Sequence, residues 1–257
     1  MISLKGKSAI IFGSKRMGAI VARRLSLEGV NLTLTYRESR EQVLQLKEEL
    51  VQTGVKVEVI RCDVSNEKDV VSTISKSVTY MGNLWFIVNL ASEFPRTPYK
   101  SLNGDSWDRA MEAAKGNYLT TLYGSRQMTE NSGKTKGHIV MFGDWAAAET
   151  PYLNYLPYLT SKASIAFMNK AFALELSSHG ILVNAIAPGP TIRPETMSKE
   201  SWASEVISKT PLGRESSGEE IAELVVILLK SETLTGEMIR VDSGRHLAGA
   251  FLSRREE

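Results

Sequence analysis

Short apolar runs alternate along this chain with longer stretches in which apolar residues recur every three or four positions. The runs at residues 8–12, 31–36, 55–61, 84–90, 138–142, 181–187 and 237–241 have the length and composition of buried strands. Helical spacing fills residues 17–25, 40–52, 67–80, 106–129, 157–178 and 218–230. Strands that alternate with helices predict right-handed crossovers and a doubly wound α/β fold, its parallel sheet covered on both faces. No internal repeat, low-complexity tract or linker interrupts the pattern, so a single domain over residues 1–257 is expected.

The chain of 257 residues is long enough to bury one such core. Its net charge of +2 excludes a dedicated polyanion-binding surface, and no nucleic-acid partner is expected. The lone cysteine, Cys62, cannot form an intramolecular disulfide, and the three histidines do not cluster, so no metal site is expected. The start of the chain lacks the apolar stretch of a signal peptide, and the apolar run at 221–229 is too short to cross a bilayer. These features predict a soluble cytoplasmic protein with a small-molecule substrate and no membrane partner.

Candidate chemistry begins between the first strand and the first helix, at Gly13-Ser14-Lys15-Arg16-Met17-Gly18. A glycine turn at that place aims backbone N–H groups and the helix dipole at a phosphate. Ala19 and Ile20 stand where a Walker A loop requires Lys and Ser/Thr, which excludes a P-loop. Lys15 and Arg16 offer charge for an additional phosphate. The second strand ends in Tyr36-Arg37-Glu38-Ser39. An Arg there accommodates the 2′-phosphate of NADP, whereas a carboxylate holds the ribose hydroxyls of NAD. Arg37 with Ser39 favours NADP(H), and Glu38 turned inward is the alternative.

Tyr158 and Lys162 lie four residues apart in a helical stretch, so their side chains share a face. An ammonium beside a phenol favours phenolate, which predicts a tyrosine pKa lowered toward neutrality and suited to general acid catalysis. The alternative is an ordinary Tyr and Lys on a helix surface.

The ordered set of motifs resembles the short-chain dehydrogenase/reductase family over nearly the whole chain. Cys62-Asp63-Val64 resembles the family's Asp-Val step against adenine. Val88-Asn89-Leu90-Ala91-Ser92 resembles its Asn-Asn-Ala-Gly stretch, with Leu90 in place of the second Asn. Asn117 matches the helix Asn that carries a relay water, and Pro188-Gly189-Pro190-Thr191 resembles the turn that meets the nicotinamide carboxamide. Val241-Asp242-Ser243-Gly244 resembles the family's C-terminal Asp-Gly-Gly. The likeness implies a Rossmann-type sheet and a homotetramer or homodimer packed through the helices that hold Asn117 and Tyr158.

Departures narrow the comparison. Asp144 occupies the position of the family's catalytic Ser, and its interval to Tyr158 is one residue longer than usual. Lys15-Arg16-Met17-Gly18, Asp144, Ser92-Glu93-Phe94 and Gly244-Arg245-His246-Leu247 together resemble pteridine and dihydromonapterin/dihydrofolate reductases, although the Gly13-to-Gly18 loop is one residue shorter. This resemblance implies NADPH-dependent reduction of a pterin-type C=N bond, with Tyr158 as proton donor and Lys162 on the nicotinamide ribose. Asn117 would hold a water, and Asp144 would exchange protons or hydrogen bonds with ring nitrogens. Phe94 would stack on the heterocycle or else pack on the core, and Trp145 would line the pocket. Residues 191–211 would form a substrate lid, helical over 195–209. A carbonyl reductase acting on a 3-oxoacyl thioester is the alternative enzyme, and a non-catalytic NADP(H) sensor the alternative outside enzymology.

Overall fold

Alternate residues of the first strand serve two different cores. Ala9 and Ile11 pack on one side of the sheet, Ile10 and Phe12 on the other, and all four are fully buried. In the computed structural model, which describes residues 1–147, 149–195 and 197–248, seven strands form one parallel sheet. They are β1 (Ser8–Phe12), β2 (Asn31–Tyr36), β3 (Val57–Arg61), β4 (Phe86–Asn89), β5 (Gly137–Phe142), β6 (Ile181–Pro188) and β7 (Met238–Val241), in the order β3-β2-β1-β4-β5-β6-β7. The fold is the doubly wound α/β sheet that the pattern predicts.

The helices are α1 (Met17–Leu27), α2 (Arg40–Val51), α3 (Glu67–Met81), α4 (Gly104–Met128), α5 (Leu156–Ser177), the single turn α6 (Lys199–Ser201) and α7 (Gly218–Lys230). Residues of α1, α2 and α7 build one core with Leu32 and Leu34, whereas α3, α4 and α5 build the other with Ile87 and Ile139. Each such buried aliphatic side chain contributes about 1.5–3 kcal/mol relative to exposure. Local chemistry sets the helix ends. Asn66 accepts from the N–H groups of Lys68 and Asp69 to start α3, and Gly82 stops it at φ 86°. Asn103 and Ser106 form a reciprocal capping box on α4.

The observed strands and helices begin and end within about two residues of the expected ones, with one exception. The helix expected over 195–209 is replaced by α6, a π-helical turn at Trp202–Val206 and a 3-10 turn at Ile207–Lys209. Ser198 caps Ser201 and fixes the late start, and Arg193 donates to the carbonyl of Met197, holding the preceding segment out of helix. Thr196, within the expected lid, and residues 249–257 of the expected domain lie outside the described residues. No described helix is long and apolar enough to cross a membrane.

The order of the strands opens a crevice in the sheet. The chain leaves β1 toward β2 on one side and returns to β4 on the other, so the helices α1 and α4 that follow them pack on opposite faces and leave a crevice above the strand ends. Helix α4 closes one side of it through Gly116, where an added Cβ would lie 2.5 Å from Val64 Cγ2. Gly116→Ala should therefore force Val64 into the crevice. Overpacking of this kind costs about 1–3 kcal/mol, and thermal unfolding should show a Tm lower by roughly 2–10 °C.

Candidate active site

At the β1 end of the crevice, Gly13 adopts φ 86°, and an added Cβ would lie 2.8 Å from the backbone nitrogen of Ala91. Only glycine lets the β1 and β4 loops approach this closely. The Gly13 N–H donates to Thr35 Oγ1 at 3.3 Å and the Ser14 N–H to the Thr35 carbonyl at 3.2 Å. Ser14 is buried, its hydroxyl donating to the Ile11 carbonyl and accepting from the Thr35 N–H. That hydroxyl is committed to joining β1 to β2, so any contact of Ser14 with a phosphate would fall to its backbone. Met17 likewise turns into the core beside Gly218. Gly18 is buried in the first turn of α1, whose start has no side-chain cap and no acidic residue. Such an uncapped N-terminus is open to an anion.

Lys15 and Arg16 are exposed. Arg16 adopts φ 54°, a conformation side chains rarely accept, and donates through Nη2 to the Ile192 carbonyl at 3.0 Å. It thus ties the turn to the segment after β6. The adjoining cleft, ≈ 180 Å³, is lined by Gly13, Tyr36, Arg37, Asp63, Val64 and Ala91 among others. Sequence reasoning found these and named Cys62 and Glu93 only as motif neighbours, but missed Thr35, Arg109 and Glu112 on the same walls. Arg37 is engaged by Glu93 and by Glu112, so it is not a free cation. Ser39 stands at the start of α2 without capping it. Asp63 accepts from the Ser65 N–H at 2.9 Å and from its hydroxyl at 2.8 Å, which combines a turn role with a place in the cleft wall. Burial pushes the Cys62 thiol up to about 11, so it stays protonated.

The floor between the two ends is held by Asn89. Its amide donates to Thr120 Oγ1 at 2.9 Å and accepts from the Ala91 N–H at 3.1 Å, pinning β4 to α4. Ser92 donates to the Glu93 carbonyl. Asn117 donates to the Ala113 carbonyl at 2.9 Å, while its Oδ1 is buried without a partner. Beyond β6, the Gly189 N–H donates to the Val241 carbonyl, Thr191 donates to the Gly189 carbonyl, and the Pro188 carbonyl accepts from the Trp145 N–H.

At the β5 end the structure brings Asp144, Tyr158 and Lys162 together. Asp144 lies one residue beyond β5, after Gly143, and all three are at least nine-tenths buried. One carboxylate oxygen of Asp144 accepts from the Ala146 N–H at 2.9 Å. The other accepts from Tyr158 at 2.9 Å and from Tyr152 at 3.3 Å. Lys162 donates to the Phe142 carbonyl at 2.8 Å and lies 5.8 Å from the centre of the Tyr158 ring.

Electrostatics here contradict the expected acidic phenol. Burial first, then the charge of Asp144, hold the Tyr158 hydroxyl well above its ordinary pKa. The same burial lowers Lys162 to about 8 and raises Asp144, the latter opposed by its donors and by Lys162. Desolvation disfavours every charged form and outweighs the ammonium.

Aromatic rings wall this pocket. Phe94 is half exposed, stacked on Tyr155 with centroids 4.4 Å apart and edge-on to Tyr158 at 4.8 Å. Trp145 stacks on Tyr152, with the Arg245 guanidinium 4.9 Å from its ring. Tyr152 and Tyr155 were given no role by the sequence reading: both precede α5, in the turn between β5 and that helix, and only tertiary packing brings them onto Asp144 and Phe94. His138 is buried, lowered to about 4, and therefore neutral. His246 sits on Asp242 at 2.7 Å. No group of three or more His, Cys, Asp or Glu positioned for a metal occurs among the described residues.

The close backbone approach at Gly13, the uncapped start of α1 and the orphaned Asn117 Oδ1 fit a dinucleotide laid across the crevice. Comparison with known proteins accords with that geometry. Residues 13–246 match the family model described as enoyl-(acyl carrier protein) reductase. The 3-oxoacyl-(acyl-carrier-protein) reductase FabG of Staphylococcus aureus is 27% identical over 246 residues, covering 94% of this chain and 98% of the relative. A dehydrogenase/reductase from Sinorhizobium meliloti 1021 superposes with a TM-score of 0.86 at 28% identity, covering 95% of this chain and 96% of that one. A short-chain dehydrogenase from Burkholderia cenocepacia J2315, solved in complex with NADP, gives a TM-score of 0.88 at 24% identity and covers 95% and 99%.

Tyr152 supplies one of three donors to the Asp144 carboxylate. Tyr152→Phe should raise the Asp144 pKa further, because a hydrogen bond to its charged form is lost. Infrared difference spectra against Asp144→Asn should then show the protonated carboxyl band persisting to higher pH than in the wild type.

Proposed function

This chain belongs to the short-chain dehydrogenase/reductase family, and on that premise we propose that it reduces a pterin-type C=N bond with NADPH. The observation that carries the reading is Asp144. A buried carboxyl group hydrogen-bonded to the Tyr158 hydroxyl gives the site a proton reservoir, which a serine at that position would not.

The crevice residues divide the binding between them. The turn Gly13 to Gly18, with Lys15 and Arg16, would take the diphosphate at the start of α1. Tyr36, Arg37, Ser39, Asp63 and Val64 would surround the adenosine, and Asn89, Ala91 and Ser92 would floor the cleft. Pro188, Gly189 and Thr191 would border the nicotinamide, with Lys162 and Tyr158 against its ribose. The NADP complex of the Burkholderia cenocepacia enzyme, together with Arg37 at the cleft, supports a phosphorylated dinucleotide. When bound, the nicotinamide supplies hydride to the substrate carbon.

Tyr158, protonated in its dry setting, donates to the ring nitrogen. Asp144 then returns a proton to the phenol oxygen across their 2.9 Å hydrogen bond. Because burial raises the Asp144 pKa, it keeps its proton further up the pH scale than an ordinary carboxyl. Reductive turnover should accordingly fall as pH rises through that elevated value. Phe94, now stacked on Tyr155, would exchange that ring for the flat substrate. Residues 191–211, tied to Arg16 through Ile192, would act as the lid. Exposed Tyr118 on α4 with Phe167 and Leu174 on α5 would pack against a second copy, giving a homodimer or homotetramer. A free buried Cys62 suits a reducing, cytoplasmic setting.

The second reading is a 3-oxoacyl-thioester reductase, favoured by the similarity to FabG. NADPH oxidation assayed with dihydrobiopterin, dihydrofolate and an acetoacetyl thioester separates the two. Turnover is expected with a pterin, and Tyr158→Phe should lower it by about 10²–10⁴-fold. Asp144→Ser should depress pterin turnover while changing NADPH binding less than about twofold. Turnover confined to the thioester would establish the second reading, and NADPH binding without any turnover would leave a sensor.

A further inference from the structure

One carboxylate spans the mouth of the adenosine cleft. Glu93, in the loop after β4, accepts from Arg37 through Oε1 and from Arg109 through Oε2, at 2.7 Å from Nε and 2.6 Å from Nη2. The second arm of Arg37 reaches Glu112 at 3.2 Å. Arg37 follows β2, while Arg109 and Glu112 lie on α4, so the bridge joins three elements around a single opening. The Arg37 and Glu93 side chains are 40% and 36% exposed, and their bonds can therefore exchange without unfolding.

Arg37 thus carries two carboxylates before any ligand arrives. Glu38, Asp105 and Asp108 stand on the same rim, so five acids face two guanidiniums. A 2′-phosphate approaching Arg37 meets a neutralised cation with carboxylates beside it, and like charges at that range repel. A 2′-hydroxyl carries no charge and meets no such opposition.

We propose that Glu93 is a specificity-determining residue that competes with the 2′-phosphate for Arg37 and so reduces the preference of the cleft for NADPH over NADH. The proposal rests on the reading of this cleft as the adenosine site of a nicotinamide dinucleotide. It makes Glu93, rather than the residues after β2 alone, the setting of the cofactor ratio.

Calorimetric titration of the full chain with 2′,5′-ADP, 5′-AMP, NADPH and NADH provides the test. Glu93→Gln should tighten 2′,5′-ADP and NADPH by about three- to tenfold, the range open to partly exposed charge pairs, and leave 5′-AMP and NADH within about twofold. The gain should shrink in high salt. Adding Arg37→Leu should erase it, which separates competition at Arg37 from the simple release of Arg109. Equal changes for phosphorylated and unphosphorylated ligands, weaker NADPH binding, or a gain that survives Arg37→Leu would overturn the proposal. Glu112→Gln, which also frees an arm of Arg37, should shift the ratio in the same direction and serves if Glu93→Gln lowers the Tm. A wild-type chain that binds neither dinucleotide would sink the cofactor reading itself. An unchanged NADPH/NADH ratio in Glu93→Gln would sink only the competition.

Discussion

The chemistry at this site depends on keeping one carboxyl group dry. Asp144 emerges from the end of β5, where the sheet holds it rigidly, and tyrosines 152 and 158 close over it. Removing a carboxylate from water is costly, and the effective penalty in proteins amounts to several kcal/mol for an unpaired ion. Three donors and the nearby Lys162 offset part of that penalty, and what remains raises the Asp144 pKa. A carboxyl whose proton is held further up the pH scale suits the proposed proton relay. The aromatic wall of Trp145, Tyr155 and Phe94 keeps water away and so maintains the balance.

The other end of the crevice follows the opposite rule. There the charges are exposed, paired and exchangeable, held by Glu93 and two arginines instead of by packing. Two unit charges 4 Å apart interact by about 1 kcal/mol in water and about 4 kcal/mol at an effective dielectric constant of 20. The same chemistry is therefore soft at the rim and stiff in the pocket. A ligand can displace an ion pair at the adenosine end, whereas at the β5 end it must work with the charges already present. Both behaviours trace to the sheet order, which opens a crevice between the helices that follow β1 and β4 and buries the start of the loop beyond β5 against α5.

The strands were legible because both faces of a parallel sheet are covered and apolar runs result. β1 and β2 needed nothing beyond their own residues, since Ser8–Phe12 and Asn31–Tyr36 are bounded by polar turns. Positions governed by short-range spacing were legible for the same reason, and Tyr158 and Lys162 do share a face. What the spacing could not convey was the medium. The phenol was expected to turn acidic because only the neighbouring ammonium is visible four residues away. Asp144 and the burial of all three groups come from fourteen residues back and from tertiary packing, and they reverse the sign. Ser14, read as one residue of the phosphate turn, also engages its hydroxyl in a strand-to-strand contact with Thr35 that no local pattern records. Arg109 fits no motif, and Glu93 was named only as the middle of Ser92-Glu93-Phe94; each acquires its electrostatic meaning only beside Arg37.

These two ends are not independent, because adjacent residues serve them. Glu93 is fastened by Arg37 and Arg109 at the rim, and the next residue, Phe94, lies edge-on to the Tyr158 ring. A backbone step of about 3.8 Å between neighbouring Cα atoms leaves little slack. The ion pairs at the rim therefore also fix where the ring beside the Tyr158 phenol can sit. Phe94 remains half exposed, with one face on Tyr155, so it is held by a contact that a flat ligand could replace. On the proposed reading, cofactor charge and substrate shape would both act on a single dipeptide, in which surface electrostatics and buried chemistry meet.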